Sequence, residues 1–118
     1  MDIHRFYETV GGDFEGTLGR LMKEERIEKY LLRFADNTDY PDFFTAWEAQ
    51  NYADAFRYVH NLKGMCLNLG ISPLADIASE VCEELRGGAP KGDMSAKLEA
   101  LKQVNAKVME TLEACRNA

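Results

Sequence analysis

The chain lacks most of the features that mark enzymes and nucleic-acid-binding proteins. Lys and Arg number 14 against 20 Asp and Glu, a formal charge of −6, so no basic stripe is present to displace counterions from nucleic acid. No stretch approaches the ~20 consecutive apolar residues that span a bilayer. The opening Met1-Asp2-Ile3-His4-Arg5 has neither the charged start nor the apolar run of a signal peptide. A soluble, cytoplasmic protein without membrane insertion is expected. Cysteine is sparse: Cys66, Cys82 and Cys115 form no C-x-x-C pair, which argues for reduced, structural thiols and against haem attachment. There is no P-loop and no glycine-rich nucleotide motif, so autonomous kinase activity is not expected. Only His4 and His60 are present, and neither follows a glutamate by three residues, as a carboxylate-bridged metal site in a helical bundle requires. No metal site and no resident cofactor are expected.

The chain does have apolar residues in a helical rhythm. At 118 residues and 46% apolar it is long enough for one core, and residues 1–118 are read as a single domain. Residues 2–10 form a short helix with Ile3, Phe6 and Tyr7 on one face, ended by Gly11-Gly12. Asp13 caps a long helix to about Phe34, carrying Leu18, Leu21, Met22, Tyr30, Leu31 and Phe34. Its charged middle, Lys23 to Lys29, reads as a solvated face with pairs such as Glu25 and Lys29. Gly16 and Gly19 serve close packing there, or the first turns fray. Residues 36–41 break the chain, and Pro41 suits the first turn of a short helix whose Phe43, Phe44 and Trp47 are core aromatics. Asn51 caps a further helix that Gly70 closes, and Ser72 caps the next, with Pro73 at its first position. That helix carries Leu74, Ile77, Ala78, Val81, Cys82 and Leu85 and stops at Gly87-Gly88. Asp93 or Ser95 starts the last, with Leu98, Leu101, Val104, Val108, Met109 and Leu112. No strand pattern and no repeat competes. The fold class is all-α, an antiparallel four-helix bundle with additional short N-terminal helical segments.

The most informative helix is the one from Asn51 to Gly70. At about 3.6 residues per turn it gathers Ala55, Tyr58, Val59, Leu62, Met65, Cys66 and Leu69 on one face and sets His60 opposite. Lys63 and Gly64 follow at the spacings that share the histidine's face. A mid-helix glycine costs roughly 1 kcal/mol relative to alanine, and an uncovered imidazole is a reason to keep one. Ala53, Phe56, Arg57 and Leu67 fall near His60 on the same wheel. With Asn61 and Asn68 they make an apolar patch with a polar rim, suited to docking a partner. Phe56 and Leu67 either stand open for that partner or tuck under a neighbouring helix. Glu80, Glu83 and Glu84 either orient the imidazole or face water. His4 has no such neighbours and reads as an ordinary surface residue.

His60, Leu62, Lys63, Gly64, Leu69 and Gly70 spell H-x-L-K-G-x-x-x-x-L-G. In this motif the chain resembles the histidine-containing phosphotransfer (HPt) domains of two-component signalling, and in length and helicity the likeness extends over the whole chain. The resemblance implies a helical bundle in which His60 is the phosphoacceptor. Lys63 would attract the phosphoryl group and Gly64 would leave it room. An imidazole, with an ordinary pKa of roughly 6.5, is a competent nucleophile near neutral pH. The implied function is a phosphorelay intermediate: a phosphocarrier that takes a phosphoryl group from a receiver-domain aspartate or a hybrid sensor histidine kinase and passes it to another receiver. Mg²⁺ would be supplied by the receiver. The Met1 start and polar tail suit a free-standing protein, although a domain excised from a larger sensor kinase would look much the same, and the absence of a heptad seam suits a monomer. The alternative is a non-phosphorylated helical adaptor that binds a receiver or kinase, which would have no need of Gly64.

Overall fold

The computed structural model describes residues 1–117, and among these every regular element is an α-helix. The helices are α1 (Ile3–Val10), α2 (Phe14–Leu21), α3 (Glu24–Ala35), α4 (Asp39–Glu48), α5 (Tyr52–Asn68), α6 (Ser72–Leu85) and α7 (Ser95–Arg116). Short connections force antiparallel neighbours: α4 packs on α5, α5 on α6 and α6 on α7. Lys102 of α7 over the ring of Phe44, 5.1 Å from its centroid, joins the last helix of this array to the first. α1 lies along α7, and α3 touches both.

The core is continuous through the bundle. Phe43, Val59, Leu62, Leu74, Val81, Leu85, Leu101 and Leu112 are each essentially inaccessible to solvent. Burial at this level stabilises by about 1.5–3 kcal/mol per large side chain. Phe43 also stacks on Trp47, with ring centroids 6.4 Å apart, so the aromatics of α4 serve packing. All three cysteines are buried and free.

The helix expected over 13–34 is two helices. Met22 takes a left-handed conformation, φ 73°, and Lys23 is extended, so α2 stops and α3 restarts in a new direction. The physical reason is the run Lys23-Glu24-Glu25-Arg26, which contains no apolar residue to carry one buried stripe across it. Below the break Ile27, Leu31 and Phe34 are buried, whereas α2 buries only Thr17. The run's contact is not Glu25 with Lys29: Glu24 Oε1 lies 3.1 Å from His4 Nε2 and ties α3 to α1. Gly16 sits inside the capping turn, where Asp13 Oδ1 accepts its N–H at 2.9 Å, and Gly19 faces open space.

Two helix starts also differ from expectation. α4 begins at Asp39, two residues early, because Asn37 Oδ1 accepts the Asp39 N–H at 2.8 Å; Pro41 remains in the first turn. In α6, Ser72 is the first helical residue and Ile71 holds the cap position without a side-chain bond. Ile71 is fully buried and its N–H is held by the Cys66 carbonyl at 2.9 Å, so core packing decides where the turn ends.

Candidate functional site

Asn51 starts α5 by accepting the Asp54 N–H at 3.2 Å, and Gly70, φ +66°, lets the chain turn away after its end. Between these points Ala55, Val59, Leu62, Cys66 and Leu69 are buried, while Tyr58 and Met65 flank them half-buried. The face is therefore set by five buried positions, and His60 stands on the opposite, exposed side. Its imidazole tilts 34° against the Phe56 ring, centroids 5.8 Å apart. Among the described residues no hydrogen bond engages its nitrogens.

One turn toward the C-terminus, Lys63 is half-buried, and its positive charge acts on the Cys82 thiol and the Glu83 carboxyl of α6, favouring the ionised form of each. Gly64 is exposed, and a Cβ built there would meet nothing within 4 Å. The glycine thus does not relieve crowding inside the protein. The helix surface above it is open to solvent.

The remaining candidates spread along the same stripe. Ala53, Arg57, Asn61 and Asn68 are exposed. Leu67, 54% exposed, is one of two large apolar side chains that the surface leaves open among the described residues. Phe56 divides its ring between the two alternatives, half-buried against the core and flanked by the imidazole. Arg57 is held by Asp54 at 3.3 Å and over the Tyr58 ring, 4.5 Å from its centroid. Asn61 Nδ2 donates to Asp39 Oδ1 at 3.4 Å, which links this rim to the start of α4.

Two acidic residues of α6, Glu83 and Glu84, are held by cations of their own. Glu83 Oε1 accepts from Arg86 Nε at 3.0 Å and Nη2 at 2.8 Å, and this hydrogen bonding holds its carboxyl below the usual range. Glu84 accepts from Lys97 Nζ at 2.8 Å, with the same effect. Glu80 is exposed. Sequence spacing along α5 did not single out Arg86, because it lies just past the end of α6. Its guanidinium lies 5.6 Å from the Phe56 centroid, so a second cation shares the aromatic ring that the imidazole rests on. No group of three or more His, Cys, Asp or Glu side chains among the described residues is arranged to hold a metal ion.

An exposed imidazole on a buried-faced helix, a lysine one turn on and free space beyond it are what a phosphoryl carrier needs. No curated protein and no solved structure matches the chain. A family model, the Hpt domain, matches residues 24–117, which takes in α3 to α7 and the whole of the His60 helix. By that match the chain belongs to the Hpt domain family, whose members carry out histidine phosphotransfer in two-component signalling.

Proposed function

We propose that His60 is the phosphoacceptor of a phosphorelay intermediate. It accepts the phosphoryl group from the aspartyl phosphate of a receiver domain, or from a hybrid kinase, and returns it to the aspartate of another receiver. The observation that carries this reading is the exposed imidazole with open space over Gly64 beside it. In the forward step a lone pair on the neutral ring nitrogen forms the N–P bond. The acyl-phosphate O–P bond breaks, and the receiver carboxylate leaves with the electron pair. The reverse step runs through the same geometry, so the carrier needs no nucleotide.

Phosphoryl transfer relies on alignment and on cations near the equatorial oxygens. Lys63 supplies one cation. The divalent ion comes with the receiver in this reading. Leu67, Ala53 and the open edge of Phe56 form the apolar part of the docking surface, with Arg57, Asn61 and Asn68 as its rim. Nucleophile, lysine and rim all belong to one chain, so one copy suffices, and exchange with receivers makes the protein cytoplasmic.

The test is transfer from a panel of labelled, phosphorylated receiver domains to this protein and to His60→Gln. Acid-labile, base-stable label on the parent and none on the variant is the expected result. Receivers that bind both proteins equally and label neither would replace the carrier by an adaptor.

A further inference from the structure

The family match begins at residue 24, and the helices before it grip the end of the His60 helix. The last carbonyls of an α-helix have no partner within it. At α5 those of Met65 and Cys66 are closed locally, by the N–H groups of Leu69 and Ile71, each at 2.9 Å, and that of Leu67 accepts from the Gly70 N–H at 3.3 Å; residues 7–20 supply further donors from Leu67 onward. Arg20 Nη2 donates to the Leu67 carbonyl at 3.1 Å and to that of Asn68 at 3.1 Å, with Nε 3.3 Å from the latter. The Tyr7 hydroxyl donates to the Leu69 carbonyl at 2.6 Å, and the Asp13 N–H to that of Gly70 at 2.8 Å. The guanidinium also brings positive charge to the negative end of the helix dipole. Thr17, fully buried, anchors the clasp from below: its hydroxyl donates to the Asp13 carbonyl at 2.7 Å and accepts from Arg20 at 3.3 Å.

The two carbonyls held by Arg20 belong to Leu67 and Asn68, which are the C-terminal end of the candidate docking stripe. Elsewhere a frayed helix end is harmless. Here a frayed last turn would move the Leu67 side chain, which is 54% exposed and so takes its position chiefly from its own backbone.

We propose that α1 and α2 form a clasp for receiver recognition, in which Arg20 is the positioning residue that fixes Leu67 and Asn68 against an incoming receiver. This deepens the phosphorelay reading and rests on it. The clasp acts on docking and leaves the reactivity of the imidazole alone, since Arg20 contacts the end of α5 and not the turns around His60.

The test compares two phosphodonors on the full chain and on Arg20→Ala and Arg20→Lys. Phosphoramidate is small and needs no docking surface; the labelled receiver that transfers fastest to the parent does. All assays run at a temperature where circular dichroism shows every variant folded. For Arg20→Ala the expected result is a rise of about tenfold in KM for the receiver, little change in the maximal rate, and a phosphoramidate rate equal to the parent's; charge-assisted hydrogen bonds are of this strength. Arg20→Lys, which keeps the charge and loses the fork, recovers part of the KM. Equal KM values in parent and Arg20→Ala would overturn the proposal. So would a loss shared by receiver and phosphoramidate, which would make Arg20 a general fold support. A parent labelled by neither donor would overturn the phosphorelay reading itself, and the clasp proposal with it.

Discussion

At the scale of single residues, two glycines of one motif have opposite environments. A Cβ at Gly64 meets nothing within 4 Å, whereas at Gly70 it would collide with Thr17 Oγ1 and lie 2.6 Å from the Asp13 carbonyl oxygen, at φ +66°. Gly64→Ala is therefore expected to stabilise the fold by up to about 1 kcal/mol, since it removes only the flexibility of a mid-helix glycine. Gly64→Gln should keep that stability and slow transfer from receivers, because its side chain occupies the approach to His60. Gly70→Ala is expected to destabilise by about 2–3 kcal/mol through backbone strain and collision. Urea denaturation of the three variants, with receiver transfer for the first two, checks all of these. Lys63→Ala should lower transfer by roughly 10- to 100-fold while the unfolding midpoint moves little, because the ammonium assists charge on the phosphoryl oxygens and its removal leaves no buried polar group behind. A shift in midpoint with unchanged transfer would make Lys63 a packing residue.

At the scale of elements, the break between α2 and α3 lies in a stretch where helical propensity alone would continue. Met22 stands left-handed and 74% exposed, an arrangement that costs a residue with a Cβ about 1–2 kcal/mol. Met22→Gly should raise stability by about 1 kcal/mol, read as a higher melting temperature, since almost no apolar burial is lost. A lower melting temperature would mean that the Met22 side chain contributes packing. The turn also shows where sequence reading stopped short. Leu18, Leu21, Leu31 and Phe34 keep helical spacing on both sides of the charged run, and spacing does not reveal that the two stripes face different neighbours. α3 faces α1 and α7, while α2 turns toward the end of α5. The starts of α4 and α6 shifted for a related reason: Asn37 and the buried Ile71 had tertiary or turn partners that outranked Pro41 and Ser72 as start signals.

At the scale of the whole molecule, burial makes stability depend on alkaline pH. The Tyr7 phenol, desolvated in the core, is pushed from 10.0 up to about 12. The Cys66 thiol, likewise desolvated, is pushed from 9.0 up to about 12. Both groups are neutral when protonated, so between those limits the folded protein keeps protons that the unfolded chain gives up. Stability is then full below the unfolded values and falls as pH rises from about 9 toward 12, with a limiting slope of about 1.4 kcal/mol per pH unit for each group. Urea midpoints at about pH 8 and about pH 10.5 should show the loss, and the double variant Tyr7→Phe, Cys66→Ala should show a flatter profile. An equal loss in parent and variant would assign the alkaline sensitivity to other groups.

The all-helical class, the core face of α5 and the exposure of His60 followed from sequence alone. They depend on local periodicity: apolar residues three and four apart must share a face wherever a helix forms. Exposure of Leu67 and the half-burial of Phe56 were not separable on that basis, because both lie on the same stripe and only the assembled core takes up one of them. Tertiary structure alone brought Arg86 to the Phe56 ring, paired Glu84 with Lys97, and set Tyr7, Asp13 and Arg20 on the end of α5. These contacts join residues far apart in the chain, and no spacing rule encodes them. They exist because helices that each bury one face must meet at angles and registers settled by the packing of the whole.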